Sequence, residues 1–157
     1  MGAFMLFFAV RQPSMNEILH LMKMAVGIEE LGQLRVWQRL LAARRPPLRH
    51  QTRTRPARMD DLLAGGSIYW VFGGAVRVRQ RLLDVVEDVW DDGSACVGLV
   101  LDPVLVEVDP RPQRAFRGWR YLEPAAAPPD LAPGTRPSGS ADMPEAMRRE
   151  LRALGLL

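Results

Sequence analysis

The stretch that most constrains this chain is SIYWVFGGAVRVRQRL, residues 67–82. Its first six residues are almost all β-branched or aromatic, which fits a strand at the centre of a sheet. Gly73-Gly74 permits a tight turn or bulge. Val76, Val78, Gln80 and Leu82 then alternate with Arg77, Arg79 and Arg81. Period two means a strand with one face buried and the other carrying guanidiniums. Gln80 falls on the apolar side, and a buried amide needs hydrogen-bond partners. It either supports the core or faces a base or small ligand.

The strand signals continue on both sides. Residues 84–90 run extended to Asp92-Gly93, a strong hairpin turn, and return as the apolar 95–101. Asp102-Pro103 makes another turn, 104–108 supplies a further strand, and 111–122 ends in a last one, GWRYL. Upstream, 18–28 (ILHLMKMAVGI) is an apolar strand interrupted by His20 and Lys23. Residues 29–44 carry Leu31, Leu34, Trp37, Leu40 and Leu41 at spacings of three and four, an amphipathic helix ended by Pro46-Pro47. Residues 48–58 read as a basic edge strand ended by Pro56, and 59–64 as one helical turn. The expected architecture is α+β: a small, strongly curved or barrel-like mixed or antiparallel sheet with an N-terminal amphipathic helix and a short C-terminal helix.

The domain divides as an extension or early-called start over 1–14, with Met15 the expected beginning, a globular unit over 15–123, a Pro/Ala/Gly/Ser linker over 124–142, and a helix over 143–157. The apolar 1–10 is too short to span a bilayer and lacks a basic leader. A soluble, cytoplasmic protein without a membrane partner is expected. The lone Cys96 fits a small buried hydrophobe in a reducing compartment better than a nucleophile.

No metal or cofactor site is expected. The acidic set Asp84, Glu87, Asp88, Asp91 and Asp92 alternates across a hairpin, so its carboxylates diverge instead of converging on a cation. The glycine pairs lack the spacing of a phosphate loop, and no serine sits in a nucleophile elbow. Nothing assigns an enzymatic activity.

The basic residues are more informative. Between Glu30 and Asp60 there is no acid, yet Arg35, Arg39, Arg44, Arg45, Arg49, Arg53, Arg55 and Arg58 all lie there. A second acid-free window, between Asp109 and Glu123, interleaves arginines with Phe116, Trp119 and Tyr121. Guanidiniums neutralise phosphates and rings stack on unpaired bases. Two bland readings compete with this one: a GC-rich genome favours arginine over lysine, and the acidic hairpin offers arginine its own partners at little net gain.

The blocks GGSIYWVFGGAVRVRQRLLD, LVLDP and RAFRGWRYL, with the early HLMKMAVGI and the tail MRRELRALGLL, resemble the uncharacterised alphaproteobacterial domain-of-unknown-function family 1489. That family brings no activity with it. At fold level the chain is also similar to small barrels of the PUA and ASCH kind, which commonly bind RNA or modified bases, though by analogy alone.

The leading expectation is an RNA-binding module. Arg53, Arg55, Arg58, Arg77, Arg79, Arg117 and Arg120 would take phosphates, and Trp119 and Tyr121 would stack on bases. The alternatives are a small-ligand pocket or hydrolytic site at the barrel mouth near His20, Tyr69 and Gln80, and a protein-interaction or homodimer surface over 111–121.

Overall fold

The computed structural model describes residues 18–131. Seven strands and two α-helices follow in the order β1 (His20–Met24), α1 (Leu31–Arg44), β2 (Arg49–Thr52), α2 (Met59–Leu63), β3 (Ser67–Phe72), β4 (Ala75–Val89), β5 (Ala95–Leu101), β6 (Val106–Pro112) and β7 (Trp119–Leu122), with a 3-10 turn over Pro124–Ala126 after them. The expected start at Met15, the 1–14 extension and the 143–157 helix lie outside the described residues.

The β3–β4 hairpin forms as the sequence requires. Gly73 and Gly74 both hold left-handed backbone, with φ of 59° and 76°, which a two-residue turn matching strand twist needs and other residues resist. Trp70 then opposes Val78, and Tyr69 opposes Arg79. β4 is one continuous strand of 15 residues. Its first half has β3 on one edge and β6 on the other, and its second half pairs with β5. The register slips between Leu82 and Asp84, and a bulge of this kind bends a strand and tightens its twist.

The resulting path, β2-β5-β4-β3-β1-β7 with β6 beside β4, is a mixed sheet curled into a half-barrel. β1 and β3 are its parallel pair. β2 and β7 lie at its two ends.

β3 is buried along its whole length because the sheet is covered on both faces. On one face Ile68, Trp70 and Phe72 join Leu19, Leu21, Val78, Leu82, Leu99 and Leu101 beneath Leu34 of α1 and Leu62 of α2. On the other, Tyr69 and Val71 pack with Met22, Val76 and Val108, and Phe116, Leu122 and Ala127 close over them. The segment after β7, expected as linker from residue 124, lies along β6 as far as Leu131. Val108 bridges Asp130, and the Leu131 N–H donates to the Glu107 carbonyl.

Gly66 fixes how β1, α2 and β3 meet. A Cβ there would collide with the backbone carbonyl oxygens of Leu19 and Leu62.

Four expectations need correction. β1 stops at Met24 and β6 begins at Val106, so the apolar runs overstate one strand and misplace the next. α1 begins after Glu30, which caps it; Gln33 Oε1 accepts from the N–H groups of Glu29 and Glu30. The buried seam of α1 is Leu34 and Gln38, with Leu31, Leu41 and Ala42 half-buried, while Trp37 and Leu40 remain 50% and 57% exposed. The helix is rotated from its apolar stripe because Gln38 has a partner inside. Among the described residues no helix is long and apolar enough to cross a membrane.

Candidate functional site

The exposed Trp37 borders a concavity. The C-terminal half of α1, the edge strand β2 and the tip of the β4–β5 hairpin enclose a cleft of about 320 Å³. Trp37, Leu41 and Arg44, spaced four and three apart along one helix face, supply one wall, and His50, Arg49, Gln51, Trp90, Asp91 and Arg45 supply the rest. An adjoining groove is lined by Arg53, Asp92, Ser94 and Ala95, and shares Gln51, Trp90 and Asp91 with the cleft.

The arginines here divide into two kinds. Asp88, nearly buried, takes Arg49 Nε at 2.7 Å and Arg45 Nη2 at 3.1 Å. It also accepts from the Val89 N–H and from Gln51 Nε2. Burial alone would raise the Asp88 carboxyl, but these hydrogen bonds and the two guanidiniums hold it below the ordinary carboxylate value. The crossing is possible because β5 carries Gly98 beneath it; a Cβ there would come within 3.1 Å of Arg49 Cδ and 3.2 Å of Asp88 Oδ2. Arg45 and Arg49 are therefore neutralised struts. Arg44 and Arg53 have no ion pair among the described residues and remain available to an anion.

His50 forms the inner wall. Its ring meets Trp70 edge-on at 5.3 Å, and its Nε2 is buried without a hydrogen-bond partner. Burial, reinforced by the charge of Lys23, pushes its pKa down to about 4, so it is neutral at physiological pH.

A protein-family model described as "Protein of unknown function (DUF1489)" matches residues 21–157. The chain belongs to this family. No curated protein and no solved structure matches it. The arrangement of residues in this DUF1489 protein must therefore carry any functional reading.

The residues singled out from the sequence are placed as follows. Arg53 lies in the groove. Arg55 hydrogen-bonds the Met59 sulfur, and Arg58 pairs with Asp61 at 2.9 Å while its N–H donates to the Tyr121 hydroxyl. Arg77 donates to the carbonyls of Phe72 and Gly73. Arg79 forms a two-pronged pair with Asp130, 2.6 Å on each side, and also donates to Ser67 Oγ. On β7, Arg120 stacks over Phe116 at 4.6 Å, Trp119 and Tyr121 meet edge to face and pack on the main core, and Arg117 is exposed. The β7 residues and Arg58 thus share one margin, whereas Arg77 and Arg79 are occupied and Arg53 lines the groove.

The second trio separates. His20 Nδ1 accepts the Ser67 N–H at 3.0 Å and its ring touches Tyr69 at 5.0 Å; burial, helped by Arg79, lowers its pKa. Gln80 points to the opposite face and is wholly buried. It exchanges two hydrogen bonds of 2.8 Å with Gln38, and its oxygen also accepts the Trp70 indole N–H at 3.0 Å. Gln80 is a hydrogen-bonded core amide.

Trp37, Trp90, Gln51 and Arg44 were not legible as a set. Trp37 carried the period of a core residue. Trp90 offered the better signal, because an indole directly before an Asp-Asp-Gly turn sits at a hairpin tip with little core to join.

Proposed function

We propose that this protein binds single-stranded RNA, and that the cleft between α1 and the β4–β5 hairpin is where it does so. The observation that carries this reading is the lining of two adjoining depressions that share Gln51, Trp90 and Asp91. Two indoles from different elements, Trp37 and Trp90, lie beside two guanidiniums that pair with no carboxylate among the described residues, Arg44 and Arg53. Indole faces stack on any base and contribute roughly 1–3 kcal/mol each, and unpaired guanidiniums displace counterions from phosphates. A cleft of about 320 Å³ has room for one nucleotide, and the groove beyond Trp90 offers a path for its neighbours. The basic stretch over 31–59 supplies the surrounding field, with Arg35 and Arg39 exposed along α1.

Fluorescence anisotropy of labelled single-stranded RNA across a salt series tests the proposal. Binding weakens as salt rises, and Arg44→Glu with Arg53→Glu lowers both the affinity and the salt dependence, by about one unit of slope per arginine. Undetectable binding, or binding indifferent to salt and to these two changes, refutes it.

A further inference from the structure

The three residues common to the cleft and the groove are Gln51, Trp90 and Asp91. One is a ring, and the other two present oxygen. The Gln51 amide cannot turn round: its Nε2 donates to the Val89 carbonyl at 2.8 Å and to Asp88 Oδ2 at 3.1 Å, both acceptors. Its Oε1 has no hydrogen-bond partner among the described residues. Asp91 is wholly exposed, and its one cationic neighbour among the described residues, Arg45 Nη1, stands at 3.9 Å, too far for a hydrogen bond.

Resting on the RNA-binding reading, we propose that this junction selects bases carrying an exocyclic amino group and rejects uracil. A base stacked on Trp90 meets two acceptors, Gln51 Oε1 and the Asp91 carboxylate. Cytosine, adenine and guanine offer at least two N–H bonds on an amino group. Uracil has a single ring N–H between two carbonyl oxygens, and those oxygens would face the acceptors. Carboxylates accepting from the cytosine amino group follow the same chemistry in DNA readers. Cytosine and uracil share ring size and backbone charge, so comparing them isolates the amino group from stacking and phosphate contacts.

The test is competition between oligocytidine and oligouridine of equal length for the full-length protein near neutral pH. Oligocytidine is expected to bind about tenfold more tightly, the lower part of the range for one well-placed base contact. Asp91→Asn, at an exposed position where folding is not at risk, brings the ratio several-fold closer to unity while leaving the salt dependence set by Arg44 and Arg53 in place. Gln51→Leu, with its fold checked by circular dichroism, does the same. Equal affinity for the two oligomers, or a ratio that Asp91→Asn leaves unchanged, overturns the selection and leaves RNA binding standing. If neither oligomer binds, the RNA-binding reading falls and the selection falls with it.

Discussion

Replacing His50 by phenylalanine should remove a penalty that acid imposes on the fold. In the native protein the imidazole is buried against Trp70 with its Nε2 unpartnered, and its pKa is about 4. In the unfolded chain it returns to its ordinary 6.5. Between those values the unfolded state binds a proton that the folded state refuses, so stability is full above pH 6.5 and falls as pH drops towards 4. From pH 7 to pH 5 the wild-type protein should lose about 2 kcal/mol on this account. The phenylalanine variant keeps a ring of similar size edge-on to Trp70 and has nothing to protonate. It should therefore lose about 2 kcal/mol less over the same interval. It should also be about 1 kcal/mol more stable at pH 7, where a polar atom without a partner no longer sits in the core. Urea unfolding of both proteins at both pH values reads the difference directly. His20, whose pKa is also lowered, contributes equally to each and cancels. Equal losses in the two proteins would refute the reasoning, because they would mean that His50 is hydrated or hydrogen-bonded in solution.

The amide pair in the core gives a second prediction. Gln80→Leu strands Gln38 and the Trp70 indole N–H and should cost about 3 kcal/mol, whereas adding Gln38→Leu removes one stranded amide and should restore about half of that in thermal or urea unfolding. Gly66→Ala should cost more than about 4 kcal/mol, since the added carbon meets two backbone oxygens and has no flexible side chain to displace; loss of the cooperative unfolding transition is the readout.

Much of the fold was legible because it is written in local alternation. SIYWVF, the glycine pair and the VRVRQRL run specify β3, their turn and β4, but not the register slip at Arg77 that sends Val76 to the face opposite Val78 and Leu82. The Asp92-Gly93 turn likewise set the β4–β5 hairpin, and Gly93 takes the left-handed backbone it needs, with φ of 88°. What could not be read was anything decided by a distant partner. Gln38 turned inward because Gln80 lies 42 residues away, and that contact rotated α1 and exposed Trp37. Arg79 looked like one of a row of free guanidiniums until Asp130, 51 residues on, came back along β6 to meet it. The acidic hairpin did take arginines as partners, but one residue, Asp88, did most of it, and it took Arg45 and Arg49 together. Period and composition tell which residues are charged. Only the long-range pairs tell which charges are left over.

The most direct test of the binding account uses the tryptophans themselves. The chain has four, two in the cleft and two held elsewhere: Trp70 hydrogen-bonded in the core and Trp119 against Tyr121 on β7. Titrating ¹⁵N-labelled protein with short single-stranded RNA while following the four indole N–H signals separates them. Movement of Trp37 and Trp90, with Trp70 and Trp119 still, is the predicted result. Movement of Trp119 with Trp37 and Trp90 unaffected would move the interface to the β7 margin, and four unmoved signals would remove the proposed site altogether.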